Sequence, residues 1–305
     1  MFTKITIKFK RREKSMSEIN NETFSLVDIG DKKSRENFDM LVNYLCSKPI
    51  YNYDLSKVDR NKPEPEIKLN RDNFYDLLND IAKILYNKEN FNTVIYIINE
   101  RSDIKPADYY YGFAKIYDLD EPILLNIGGM DTYASVSVTI HELTHIIAAL
   151  NNNNPSKQYN EFLSIFSELV AIDYFSQIKE NEDIFTNHLI NKLINRMSKR
   201  IYSNNLYLED NSLSWLLKMY QSNYTYFIGL IYALRLFELY KNDKETILCD
   251  FNNILLSKYT VTELLDKYNI NLTNEDTINC FKNNCDFYEQ KILEKYEHDK
   301  LSFVK

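Results

Sequence analysis

Apolar residues recur at helical spacing in two early stretches, ENFDMLVNYLCS and DNFYDLLNDIAKILYN, between about Arg35 and Asn87. Repeats at i, i+3 and i+4 place one apolar stripe on each predicted helix. A polar connection with prolines, KVDRNKPEPEIKLN, lies between them, and the residue before a proline is driven out of the helical region. The two stretches predict a short N-terminal helical lobe over residues 16–90. Residues 1–15 read as a disordered extension ahead of a second candidate start at Met16.

The texture then changes. NTVIYIIN, YYYGFAKIY and EPILLNI are short, rich in β-branched and aromatic residues, and bounded by Asn, Asp, Pro and Gly, which predicts a small β-sheet. Its last strand ends at Gly128-Gly129. The helical period returns in MDTYASVSVTIHELTHIIAALNNNNP, with Asp131 as N-cap and Pro155 as stop, giving one helix of about five turns. QYNEFLSIFSELVAIDYFSQI predicts the next helix. YTYFIGLIYALRLFELYKND and NEDTINCFKNNCDFYEQKILEKY predict others beyond it. The fold class that follows is mainly α with a small β-sheet beside the central helices, residues 91–305 forming one domain behind the lobe.

Composition narrows the choice. A hydrophobic fraction of 44% and a charged fraction of 27% are ordinary for a globular chain, and 5 Gly and 6 Pro are too few for a turn-rich β-sandwich. The net charge of -7 opposes a nucleic-acid partner, whose phosphates require a basic surface. No stretch reaches the roughly 18 apolar residues of a membrane span, so a cytoplasmic protein without a membrane partner is expected. Cys46, Cys249, Cys280 and Cys285 lack the paired spacing of a structural zinc knuckle and read as reduced thiols.

The chemistry is concentrated in His141-Glu142-Leu143-Thr144-His145. This H-E-x-x-H puts two imidazoles one turn apart on the same helical face, where they can bind one zinc ion, with the glutamate beside them as general base. With only 4 histidines in the chain, such a motif arises by chance with a probability on the order of 0.5%. A catalytic zinc keeps three protein ligands and an open position for water. His188 and His298 stand in polar contexts and read as surface residues. There is no H-x-x-G-x-x-H continuation, leaving the gluzincin arrangement in which a glutamate on the next helix completes the site.

That helix offers Glu161, Glu168 and Asp173. The one-turn neighbours of Glu168 are Ser164, Ile165, Ala171 and Ile172, so Glu168 faces inward. A buried carboxylate needs a positive partner, and Glu168 is therefore the expected third ligand, one zinc ion per chain, with Glu161 as runner-up. Asp173 reads equally as a carboxylate orienting a histidine or as a surface charge.

Four stretches in order resemble the thimet oligopeptidase and oligoendopeptidase F group of zinc metallopeptidases. They are PILLNIGG running into VTIHELTH, then FLSIFSEL, YTYFIGLIYALRLFELYKND and ELLDKYNINLTNEDTINCFKNNCDFYEQKI. The resemblance covers roughly Glu121 to the C-terminus. It implies a zincin-like (gluzincin) catalytic domain acting on oligopeptides or an unstructured peptide. It also implies Glu168 as third ligand, and Tyr226, with its neighbour Tyr224, as donors to the developing oxyanion. The strand ending at Asn126, with Gly128 and Gly129 as its turn, would flank the extended substrate.

Three departures temper this. Thr144 replaces a common glycine, SWLLKMYQSN lacks the histidine expected upstream of the tyrosines, and the N-terminal lobe is short. The cleft should be more open than in longer relatives, or closed by a second copy in a homo-oligomer. A peptide-binding or regulatory relative without turnover, and a processing peptidase dedicated to one precursor, are the alternative functions.

Overall fold

The computed structural model describes residues 31–47, 71–107, 113–115, 123–128, 133–151, 157–178, 184–186 and 213–302. The expected extension 1–15, Met16 and the proline-containing connection lie outside the described residues, as do Gly129, Asp131, Pro155 and His188.

Among the described residues three helices come first: α1 (Lys32–Cys46), α2 (Arg71–Leu85) and α3 (Lys88–Tyr96), the last running into a π-helical turn, Ile97–Arg101. Asp31 caps α1 by accepting from Ser34 N, and Asn87 caps α3 by accepting from Asn90 N, which satisfies amides that a helix start leaves open. The stretch NTVIYIIN, predicted as a strand, is thus helical. Its β-branched residues lose to position: Asn90, Val94 and Ile97 share one face and are buried, a 3.6-residue repeat that packing rewards more than local preference resists. Asn252 fixes this junction, accepting from Asn87 N at 2.8 Å and Asn90 Nδ2 at 2.9 Å and donating to Leu85 O at 2.9 Å.

A three-stranded sheet follows, β1 (Ser102–Ala107), β2 (Phe113–Lys115) and β3 (Ile123–Gly128), in the order β1-β3-β2. β1 runs parallel to β3 from Ser102 opposite Ile123 to Ala107 opposite Gly128, and β2 runs antiparallel, Phe113 opposite Asn126. The sequence SDIKPA of β1 carries no strand pattern. Its proline is tolerated because, among the described residues, β1 is an edge.

The described helices that follow are α4 (Tyr133–Leu150), α5 (Lys157–Ile178), α6 (Leu213–Asn242), α7 (Lys244–Leu255), α8 (Val261–Lys267) and α9 (Glu275–Ser302). α6 begins eleven residues before the predicted Tyr224 and, at 30 residues, is about 45 Å long. α5 is the centre of the molecule, packed between α4 and α6, and α4 also packs against β2 and β3. One continuous core joins them: Phe166 meets Phe251 and Tyr240, and Phe227 meets Phe38 of α1 and Phe281 of α9. α1 is tied on by Asn37 Nδ2 donating to Leu272 O at 2.7 Å, so the first helices share that core. Cys280 and Cys285 are buried and Cys249 is exposed, none of the three in a disulfide. No described helix is long and apolar enough to cross a membrane.

Candidate metal centre

α4 is buried on almost every side: Val136, Ile140, Leu143, Ile146 and Ile147 are enclosed together with Ser135, Ser137, Thr139 and Thr144, as expected of a helix surrounded by others. A histidine on such a helix must find polar partners from its neighbours. His141 and His145, one turn apart, find them on α5. Glu161 and Glu168 are seven residues apart, two turns on the same face, and both reach His141.

His141 donates from one side and converges on the other. Its Nδ1 lies 3.1 Å from Glu168 Oε2. Its Nε2 lies 3.2 Å from His145 Nε2 and 3.3 Å from Glu161 Oε2, and His145 Nε2 is 3.7 Å from the same oxygen. A neutral imidazole has one donor and one acceptor nitrogen. With Nδ1–H given to Glu168, His141 Nε2 turns a lone pair towards a second imidazole nitrogen and a carboxylate oxygen. Such a cluster repels itself unless a proton or a cation sits within it.

Protons are drawn to this cluster. Burial works against a charged His141, but the hydrogen bonds to Glu161 and Glu168 outweigh it and hold its pKa well above the usual imidazole value. Burial likewise opposes a charged Glu161, and the bonds from His141 and His145 overcome it and keep the carboxyl well below its usual range. Zinc also fits. Bonds of 2.0–2.2 Å in a tetrahedron set ligand atoms about 3.4 Å apart, against the 3.2, 3.3 and 3.7 Å found. The His145 and Glu161 side chains are 21% and 25% exposed, which leaves an open approach.

The group that can hold a metal is thus His141, His145 and Glu161, whose ligand atoms lie within 4.8 Å of one another. Glu168, the residue expected from its inward position, touches the opposite nitrogen of His141 and is 2% exposed. Its burial is satisfied by an imidazole N–H, which anchors the ring and fixes its tautomer. The inward position read from the sequence is found, but the carboxylate beside both imidazole Nε2 atoms is Glu161.

Glu142 is half-buried on α4, next in sequence to His141. The Tyr226 ring is buried and stacked near His141, centroids 6.4 Å apart and 21° between planes. The side chains of Tyr224 and His298 lie outside the described residues. Asp173 orients neither histidine and is not a surface charge: it is buried, and its carboxylate takes a hydrogen bond from Gln177 Nε2 at 2.6 Å. Asn126 and Gly128 belong to β3, the central strand. Since β1 and β2 flank β3 at Leu124–Asn126, that stretch has no free edge to offer an extended peptide.

Two supporting features carry no motif. Thr144 bonds Ile140 O, Ser167 Oγ at 2.9 Å and Tyr86 Oη at 2.8 Å, pinning α4 to α5 and to the end of α2 behind the histidines. Gly229 of α6 faces Glu161 so closely that an added Cβ would stand 3.1 Å from Glu161 Cβ and 3.1 Å from Phe162 N.

No family model and no curated protein matches the sequence. Solved structures do. A protein named as an oligoendopeptidase F from Bacillus anthracis str. Ames is similar at a TM-score of 0.65 and 14% identity, over 87% of this chain and 57% of that one. A protein named as a peptidase from Chlamydophila abortus is similar at 0.59 and 15%, over 88% and 57%. PZ peptidase A, solved with an inhibitor, is similar at 0.59 and 13%, over 88% and 59%. The chain spans less than three-fifths of each. At such identities the likeness is one of fold, and the fold this chain shares, over nearly nine-tenths of its length, is that of peptidase structures.

Proposed function

We propose that this chain is a zinc-dependent endopeptidase acting on oligopeptides or unstructured peptide segments. The observation that carries the proposal is the convergence of His141 Nε2, His145 Nε2 and Glu161 Oε2 beside Glu142 of the H-E-x-x-H helix. The peptidase fold of the structural neighbours supports it.

His141, His145 and Glu161 are the residues that would hold zinc. Zinc, when bound, supplies a Lewis acid and lowers the pKa of a bound water to about 7. Glu142 accepts the proton of the attacking water and returns it to the leaving amine. Glu168 keeps His141 in the tautomer whose Nε2 is free to bind. Tyr226, held against His141, donates to the developing oxyanion, and Tyr224 is the neighbouring candidate for that role. An extended substrate adds at the outer edge of β2, which packs on α4 and has no second strand partner among the described residues.

Metal content of the purified protein, with cleavage of a mixed pool of unstructured peptides in the presence and absence of a chelator, tests this. About one zinc per chain and chelator-sensitive cleavage are expected. Glu142→Gln should keep the zinc and lower kcat by about 10²–10⁴-fold; an undiminished rate would remove Glu142 from its role. Zinc without cleavage of any generic peptide would favour a peptide-binding protein or a peptidase dedicated to one precursor.

A further inference from the structure

Between the C-terminal parts of α5 and α6 and the middle of α9 lies a cavity of about 690 Å³ whose lining includes Asp173, Gln177, Phe185, Phe237, Lys241 and Tyr288. Asp173 follows Glu161 on α5 by twelve residues, about 18 Å along the helix axis, so this cavity is not the metal centre. Its volume suits a small organic molecule.

Three charged side chains line it: Glu238, which is paired with Arg235, and Asp173 and Lys241, which form no ion pair with each other. Asp173 is 9% exposed. Its carboxylate takes one hydrogen bond, from Gln177, and no ion pair among the described residues. The Lys241 ammonium stands over the rings of Phe185 and Phe237, 5.3 and 5.1 Å from their centroids, and those rings are themselves stacked at 5.3 Å. A buried carboxylate bonded to an amide, with Lys241 and Lys244 acting on it only from a distance, remains costly until a cation reaches it. An ammonium resting on ring faces keeps N–H donors for an anion. One ligand chemistry answers both at once: an ammonium group for Asp173, a carboxylate for Lys241, and an apolar body against the phenylalanines.

We propose that the cavity between α5, α6 and α9 is a second, non-catalytic binding site for a small zwitterion with an apolar side chain, of the class of a free amino acid or dipeptide. Asp173 recognises the amine, Lys241 the carboxylate, and Phe185 and Phe237 the side chain. The site is independent of zinc and of the peptidase reading.

Calorimetric titration of the full chain with L-phenylalanine, 2-phenylethylamine and 3-phenylpropionate tests it, each with and without a chelator. L-Phenylalanine is expected to bind at one site with an affinity unchanged by chelation, and more tightly than either single-charge probe. Asp173→Asn should weaken L-phenylalanine by about tenfold or more and abolish binding of the amine; Lys241→Met should weaken it likewise and abolish binding of the acid. Binding that disappears with the chelator belongs to the metal centre and overturns the proposal. So does the absence of binding at about 10 mM L-phenylalanine, or wild-type affinity in both variants. Should Asp173→Asn not fold, Lys241→Met, at an exposed position, decides alone.

Discussion

Glu161 and Glu168 differ by two helical turns and hold opposite nitrogens of one imidazole, and the metal reading assigns them separable effects. Glu161→Gln removes a ligand, and the purified variant is expected to carry well under one zinc per chain. Glu168→Gln leaves all three ligands and should retain zinc with about 10–100-fold weaker affinity, measured by competition with a chromophoric chelator. Equal losses would show that the two carboxylates are not divided into ligand and anchor. Asp173 makes a prediction about pH. Burial raises its pKa, with Lys241 and Lys244 pulling back, so the protonated form is the one the fold favours. The associated stability is present below the usual Asp pKa and is lost as pH rises through the folded value. Asp173→Asn, which cannot ionise, should therefore raise Tm at pH 7 and change it less near pH 3, as thermal melts at the two values would show. The meeting of the two histidines was legible in the sequence, because a spacing of four on a helix alone places both rings on one face. The order of the two glutamates was not, because periodicity tells which face a residue occupies and not how far along that face a neighbour's nitrogen lies.

At the scale of elements the site depends on how closely α6 approaches α5. Gly229 permits that approach directly opposite Glu161, and three residues earlier Tyr226 leans on His141. An alanine must move the two helices apart by a few tenths of an ångström, at a cost of about 1–3 kcal/mol, while metal bonds tolerate about 0.2 Å. Gly229→Ala is expected to lower zinc affinity by about tenfold or more, and Ala233→Val, which crowds the same helix one turn further on, to lower Tm without that loss. If both variants lose affinity in proportion to stability, Gly229 is a packing residue only. The helices on either side were legible because their apolar spacing is regular. The helix α3 was not, since Val94, Ile95, Ile97 and Ile98 have strand preferences that the Asn87 cap and the burial of one face override. Nor was the placement of β3: its own residues predict a strand, and only the pairing of an unpatterned SDIKPA segment makes it the central one.

For the whole molecule, the candidate metal centre sits where the core elements meet. His141 and His145 belong to α4, Glu161 to α5, and α6 closes over them with Tyr226, while Thr144 carries the connection through Ser167 and Tyr86 to α2. A ligand bound by α4 and α5 together is absent from the unfolded chain in that geometry, so its binding free energy adds to folding stability. At a free zinc concentration 100-fold above Kd the gain is about 2.7 kcal/mol. For a chain of this size each kcal/mol is worth about 1.5–2 °C in Tm, so zinc should raise the melting temperature by about 4–5 °C. A chelator should reverse the shift. The gain should persist in Glu142→Gln, which keeps every ligand, and vanish in a His141→Ala, His145→Ala double variant. A zinc-induced shift that survives loss of both histidines would place the bound metal elsewhere. One absent from the wild-type chain would leave the cluster of two imidazoles and a carboxylate held by protons alone, and with it a fold that keeps the peptidase architecture without the peptidase chemistry.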